Sequence, residues 1–147
     1  MNIARENNPI LKVVLDSNII ISALLFGGKP RKILDLILEK RIIGITSPYI
    51  IFELKDVLSR RQFDIVEEKR EEVEKLLRKY FQIISPMVQV NLIKNHHPDN
   101  KILALAIDSK ADYLITGDKK HILPLKQIQK THIVSVEEFL KEYESHL

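Results

Sequence analysis

Leu11-Lys12-Val13-Val14-Leu15-Asp16-Ser17-Asn18 reads as a buried strand that ends on an acid. Its β-branched and apolar side chains, broken only by Lys12, have the length and composition of a strand covered on both faces. Two small polar residues follow, and then the apolar run Ile19-Ile20-Ile21. In an open parallel sheet, ligands sit outside the carboxyl ends of the strands. Asp16, at the tip of the first strand, stands where chemistry is expected. Asp16 or Ser17 also suits the cap of the next helix, since a short side-chain oxygen there accepts a free backbone N–H. Three later acids at equivalent edges favour the chemical role.

Working outward, 147 residues suit one domain with a sizeable core. A hydrophobic content of 45% excludes a disordered chain. Residues 1–10 form a polar, loose leader without the apolar centre of an export signal, which leaves residues 11–147 as a single domain. The longest apolar stretch, residues 19–26, contains Ser22 and falls well short of the ~20 residues of a membrane span. The absence of cysteine excludes disulfides, thiolate metal sites and cysteine nucleophiles, and fits a reducing cytoplasm as the expected location. A net charge of +3 permits a nucleic-acid partner without demanding one.

Past the first strand, a short helix over residues 19–26 ends at Gly27-Gly28, and Pro30 opens another with Ile33, Leu34, Ile37 and Leu38 on one stripe. Residues 41–45 read as a second strand. Ser47-Pro48 then makes a strong helix start, with Ser47 as cap, and Ile50, Leu54, Val57 and Leu58 face the core. Residues 64–80 are highly charged with a thin apolar seam, which predicts a solvated amphipathic helix or helix pair. A strand is expected within residues 82–93, its boundary blurred by Pro86. After the loop Asn95-His96-His97-Pro98, Asp99 is expected to cap a buried helix over residues 102–107. Residues 112–116 and 132–134 read as further strands. Ser135-Val136-Glu137-Glu138 is a capping box that opens the last helix. Strands separated by helices, with no internal repeat, give an α/β domain with a mostly parallel sheet.

Asp16 and Asp118 follow the ends of two strands, and Asp99 begins the helix that feeds the second of them. Glu53 lies three residues after Ile50 and four before Val57, so it borders the apolar face of its helix. Four carboxylates converging on one pocket would repel, and their pKa values would rise. A hard divalent cation such as Mg²⁺ or Mn²⁺ resolves the repulsion, and it can activate water against a phosphodiester. Each acid also has a plainer reading: Glu53 as a partner for a nearby Lys or Arg, Asp99 as a cap, and Asp118 in Thr-Gly-Asp as a turn residue.

Other chemistries lack their residues. The four glycines form neither a phosphate-binding loop nor a dinucleotide fingerprint. A receiver-like phospho-acceptor domain also places Asp at strand ends, but it calls for adjacent acids where this chain has Ser17 and Asn18. Zinc binding through His96 and His97 is disfavoured, because adjacent residues rarely share one site and no third ligand is evident.

Val14-Leu15-Asp16-Ser17-Asn18, Glu53, Asp99-Asn100-Lys101 and residues 111–118 (Ala-Asp-Tyr-Leu-Ile-Thr-Gly-Asp), in that order and spacing, resemble a PIN domain. The nearest variety is the group of small prokaryotic toxins of toxin–antitoxin systems. The resemblance runs from about Lys12 to Tyr143. It implies a three-layer α/β/α sandwich around a mostly parallel sheet of strand order 3-2-1-4-5, with Asp16 beside Asp118 at the switch point. It further implies that Asp16, Glu53, Asp99 and Asp118 bind metal and act in catalysis, with Asn18 and Thr116 as supporting polar groups. The expected activity is Mg²⁺- or Mn²⁺-dependent endoribonuclease cleavage. Lys29, Arg31, Lys32, Lys119 and Lys120 would hold the RNA backbone. A small antitoxin protein and a second copy of the chain, docked through residues 64–80, are the expected partners. The family's usual extra acid before the Pro-Asp region is replaced here by His96 and His97. That departure keeps open an alternative: a PIN-like RNA-binding or scaffold module without turnover.

Overall fold

The computed structural model describes residues 10–145, so the expected leader lies outside them apart from the exposed Ile10. Strand β1 (Lys12–Leu15) sits at the middle of the sheet, with Val13, Val14 and Leu15 wholly buried. It is flanked on both sides by parallel neighbours, β2 (Ile43–Thr46) and β4 (Tyr113–Ile115), with Val14 opposite Ile45 and Leu114. Strand β3 (Gln82–Ile83) extends the sheet beyond β2, and β6 (Thr131–Val134) extends it beyond β4, both parallel. The order β3-β2-β1-β4-β6-β5 is thus the expected 3-2-1-4-5, with β6 in fifth place.

The added strand, β5 (Gln127–Ile128), pairs antiparallel with β6 at the edge. Its hairpin turns at Gln129-Lys130 without glycine, Gln129 taking a positive φ of 50°. Such a turn carries no Asn-Gly or Asp-Gly signal. Strand β3 is also shorter than residues 82–93 allow. Beyond it Pro86 has no N–H to give a ladder, and the Met87 N–H is taken by the Asp108 carboxylate at 2.5 Å.

Helices α1 (Ser17–Leu25) and α2 (Gly28–Leu38) connect β1 to β2, and α3 (Pro48–Leu58) and α4 (Glu67–Tyr80) connect β2 to β3. Helix α5 (His97–Ser109) returns to β4, and α6 (Val136–Ser145) follows β6. The connections out to β3 and back to β4 run in opposite directions along the sheet. Right-handed crossovers therefore place α5 on the face opposite α1–α4. α1 packs against α2 and α3, while α6 packs against α2.

Gly44 permits the tightest of these approaches. A Cβ there would lie 2.7 Å from the Phe81 ring and 2.8 Å from Cδ1 of Ile37. Helix α4 is the solvated amphipathic helix that its charges predict, with Leu77 its one fully buried residue. Helix α5 departs from expectation at its start. Its cap position is His96, and Asp99 lies inside the first turn without capping anything. Pro98, whose fixed φ suits a first turn, draws the helix start ahead of Asp99.

Candidate functional site

At the carboxyl ends of β1 and β4, a cavity of about 490 Å³ is lined by Asp16, Asn18, Glu53, Asp99 and Asp118, with Ser17 and Tyr49 among its other walls. The four acids foreseen from the sequence are brought together. No Lys or Arg lines this cavity among the described residues.

Asp16 satisfies both of its readings. One carboxylate oxygen caps α1 by accepting the Ile19 N–H at 3.0 Å, and the other accepts the Thr116 hydroxyl. Burial pushes its pKa up. The Thr116, Ile19 and Gly117 donors pull it back, and Glu53 adds to the rise. Thr116 is fully buried and also accepts the Asp118 N–H at 3.1 Å, so one hydroxyl joins the tips of β1 and β4. Asn18 is exposed on the rim.

Glu53 owes its place to the start of α3. Ser47 caps that helix by accepting the Ile50 N–H at 3.1 Å, with Pro48 in its first turn. This fixes the phase that points Glu53 inward. The Ser17 hydroxyl donates to Glu53 at 2.8 Å, a partnership across 36 residues that sequence reading missed. Tyr49, next to it, has its pKa raised by burial and then by Glu53.

Asp99 is pushed up by burial and by Asp118, against the opposing pull of His121 and His96. Asp118 is also the turn residue of its plain reading: one of its oxygens accepts the Lys120 and His121 N–H groups, each at 3.0 Å. Its remaining oxygen stays available to the cavity.

Of the five cations assigned to RNA, Lys29 pairs with Glu137 at 2.5 Å and Arg31 with Asp35 at 2.9 Å. Lys32, Lys119 and Lys120 are exposed and have no ion pair among the described residues. The two adjacent histidines diverge. His97 meets the edge of Tyr49, whereas His96 lies over His121 with ring centroids 3.9 Å apart. His121 was not singled out from the sequence, because nothing local ties it to residues 96–99.

An oxygen-only donor set, crowded, partly buried and without a lining Lys or Arg among the described residues, fits a hard divalent metal.

The family model described as PIN domain matches residues 12–120. The uncharacterized protein MJ1680 of Methanocaldococcus jannaschii is 34% identical over 151 residues, covering 93% of this chain and 94% of that protein. Two solved structures share the fold. The crystal structure of VapBC2 from Rickettsia felis bound to a DNA fragment from their promoter aligns with a TM-score of 0.61 at 17% identity, over 85% of this chain and 98% of that one. PAE2754 from Pyrobaculum aerophilum aligns with a TM-score of 0.61 at 14% identity, over 92% and 90%.

Proposed function

The chain belongs to the PIN domain family, and from that premise we propose that it is a divalent-metal-dependent endoribonuclease, the toxin of a toxin–antitoxin pair. One observation carries the reading: four carboxylates line a single cavity, and no basic side chain among the described residues lines it. Asp16, Glu53, Asp99 and Asp118 would hold Mg²⁺ or Mn²⁺. Bound there, the ion supplies charge compensation at the phosphate and a water of lowered pKa.

The chain's own residues do the positioning. Thr116 fixes the rotamer of Asp16, and Ser17 fixes that of Glu53. Asn18 on the rim offers an amide to a phosphate or sugar. Lys32, Lys119 and Lys120 hold the RNA backbone, with Lys29 and Arg31 contributing once their ion pairs open.

The fold likeness to VapBC2 supports a small antitoxin protein as partner. A homodimer through α4 and a cytoplasmic location belong to the same proposal, as does a single domain over residues 11–147. No helix among the described residues is long and apolar enough to cross a membrane.

Labelled single-stranded RNA tests the reading, incubated with Mn²⁺, with Mg²⁺ or with chelator, against the parent and Asp16→Asn. Cleavage by the parent with either metal, and its loss by about 100-fold or more in the variant, is expected. Binding without cleavage in any metal would leave the inactive RNA-binding module instead.

A further inference from the structure

We infer that His96, Asp99 and His121 form a second metal site, built for a zinc-class divalent ion rather than for Mg²⁺. One imidazole nitrogen from each histidine and a carboxylate oxygen of Asp99 lie within 4.8 Å of one another. Nδ1 of His96 is already 3.9 Å from Asp99. With metal–ligand bonds of ~2.0–2.2 Å, tetrahedral ligands sit roughly 3.4 Å apart. The widest of the three separations therefore needs to close by up to about 1.4 Å, and the His96–Asp99 pair by about half an ångström. His96 is exposed and His121 half-buried, so rotation of their rings supplies that movement.

The backbones carrying the two imidazoles are pinned from behind. The buried Asn100 grips Ile93 twice, donating to its carbonyl at 2.7 Å and accepting its N–H at 2.9 Å. The His96 N–H then closes a turn onto the Ile93 carbonyl at 3.3 Å. On the other side, Asp118 holds the N–H of His121. Two chain segments far apart in sequence are thus each fixed by a partner of their own, with the imidazoles meeting between them.

Two imidazoles and one carboxylate suit zinc and its borderline neighbours, while all-oxygen sets suit magnesium. The fold therefore presents a hard site and a softer one on the two sides of Asp99. The second site goes beyond the proposed nuclease and shares only Asp99 with it. Its two histidines lie outside the lining of the acid cavity and belong to the second site alone.

Zn²⁺ titration followed by calorimetry and by imidazole nitrogen resonances tests this. In the parent, Zn²⁺ is expected to bind in excess Mg²⁺ and to shift the His96 and His121 signals while leaving His97 and His132 in place. His96→Ala and His121→Ala are each expected to weaken Zn²⁺ binding about ten-fold or more. Both should leave the Mn²⁺-induced rise in melting temperature unchanged. Asp16→Asn is expected to do the reverse, keeping the Zn²⁺ response. Zn²⁺ binding that survives both histidine variants, or unmoved His96 and His121 signals, overturns the site. An Asp16→Asn variant that retains the full Mn²⁺ response counts against the acid cavity alone, and leaves the histidine shifts to uphold the second site.

Discussion

Glu74 and Asp99 are both half-buried carboxylates on helices, and the molecule holds them in opposite ways. On α4, Glu74 receives Nζ of Lys55 at 2.7 Å and Nε of Arg78 at 2.9 Å. Those two donors keep its carboxyl below the usual range, with burial pulling weakly the other way. Asp99 has burial and Asp118 as its leading influences, and both push it up. Asp16 is raised as well, again mainly by burial. A protein with 23 Lys and Arg had cations to place beside these acids, yet none lines their cavity among the described residues. Glu74 is an acid whose charge is already matched within the fold. The acids at the sheet edge have no such match among the described residues, and on the proposed reading their charge is met from outside.

The contrast can be sharpened first at the hydroxyl behind Glu53. Ser17→Ala removes the donor at 2.8 Å and leaves the carboxylate itself in place. It is expected to weaken Mn²⁺ binding by about 10- to 100-fold, the usual cost of losing a group that orients a ligand. Titration calorimetry checks this, and an unchanged affinity would mean that Glu53 does not depend on Ser17.

A smaller effect belongs to the exposed lysines beside the turn. Because phosphate contacts release counterions, Lys119→Ala with Lys120→Ala should lower the salt slope of single-stranded RNA binding by about 1.4, roughly 0.7 for each charge. Metal binding should stay as it was. A slope equal to the parent's would route the RNA elsewhere on the surface.

The smallest effect is at the matched acid. Glu74→Gln should cost about 1 kcal/mol or less, since its partners remain partly exposed to water. Chemical denaturation reads that change, and a loss several times larger would place Glu74 in a role beyond a surface pair.

pH separates the two kinds of acid by sign. Asp16 and Asp99 hold protons more tightly folded than unfolded, so their stabilising contribution is complete below the ordinary value of 3.8 and is lost as pH rises through their raised pKa values. Glu74 behaves oppositely: its contribution is present above the ordinary value of 4.5 and is lost as pH falls through its lowered pKa. Metal-free Asp16→Asn should therefore flatten the loss on the rising side, and Glu74→Gln the loss on the falling side. Denaturation curves across the acid range would reveal a reversal of either sign.

Much of this was legible in the sequence where the signal was local or periodic. The Ser47 cap and the Ser135–Glu138 box, whose two hydrogen bonds form at 3.0 and 3.1 Å, join residues three apart, so composition alone announces them. Glu53 was placed by the period of the helix around it, and β1 by its run of apolar side chains, of which Val13, Val14 and Leu15 are wholly buried. What escaped was made by tertiary approach. Ser17 meets Glu53 across 36 positions, and His121 meets His96 from a different connection of the sheet. The β5 hairpin escaped because non-glycine residues make its turn. Asp99 was misplaced as a cap because Pro98 sets the start of α5 earlier than an acid-cap pattern implies.

The central claim, that the cavity's acids await an external cation, is tested most directly by thermal melts of the parent and Asp16→Asn in chelator and in millimolar Mn²⁺. A metal that binds only the folded state raises the melting temperature with its concentration. The parent is expected to gain several degrees in Mn²⁺. Asp16→Asn, with one repelling charge removed, is expected to match or exceed the parent in chelator and to lose most of the metal-induced gain. A parent whose melting temperature ignores both Mn²⁺ and Mg²⁺, beside a variant destabilised in chelator, would contradict the account.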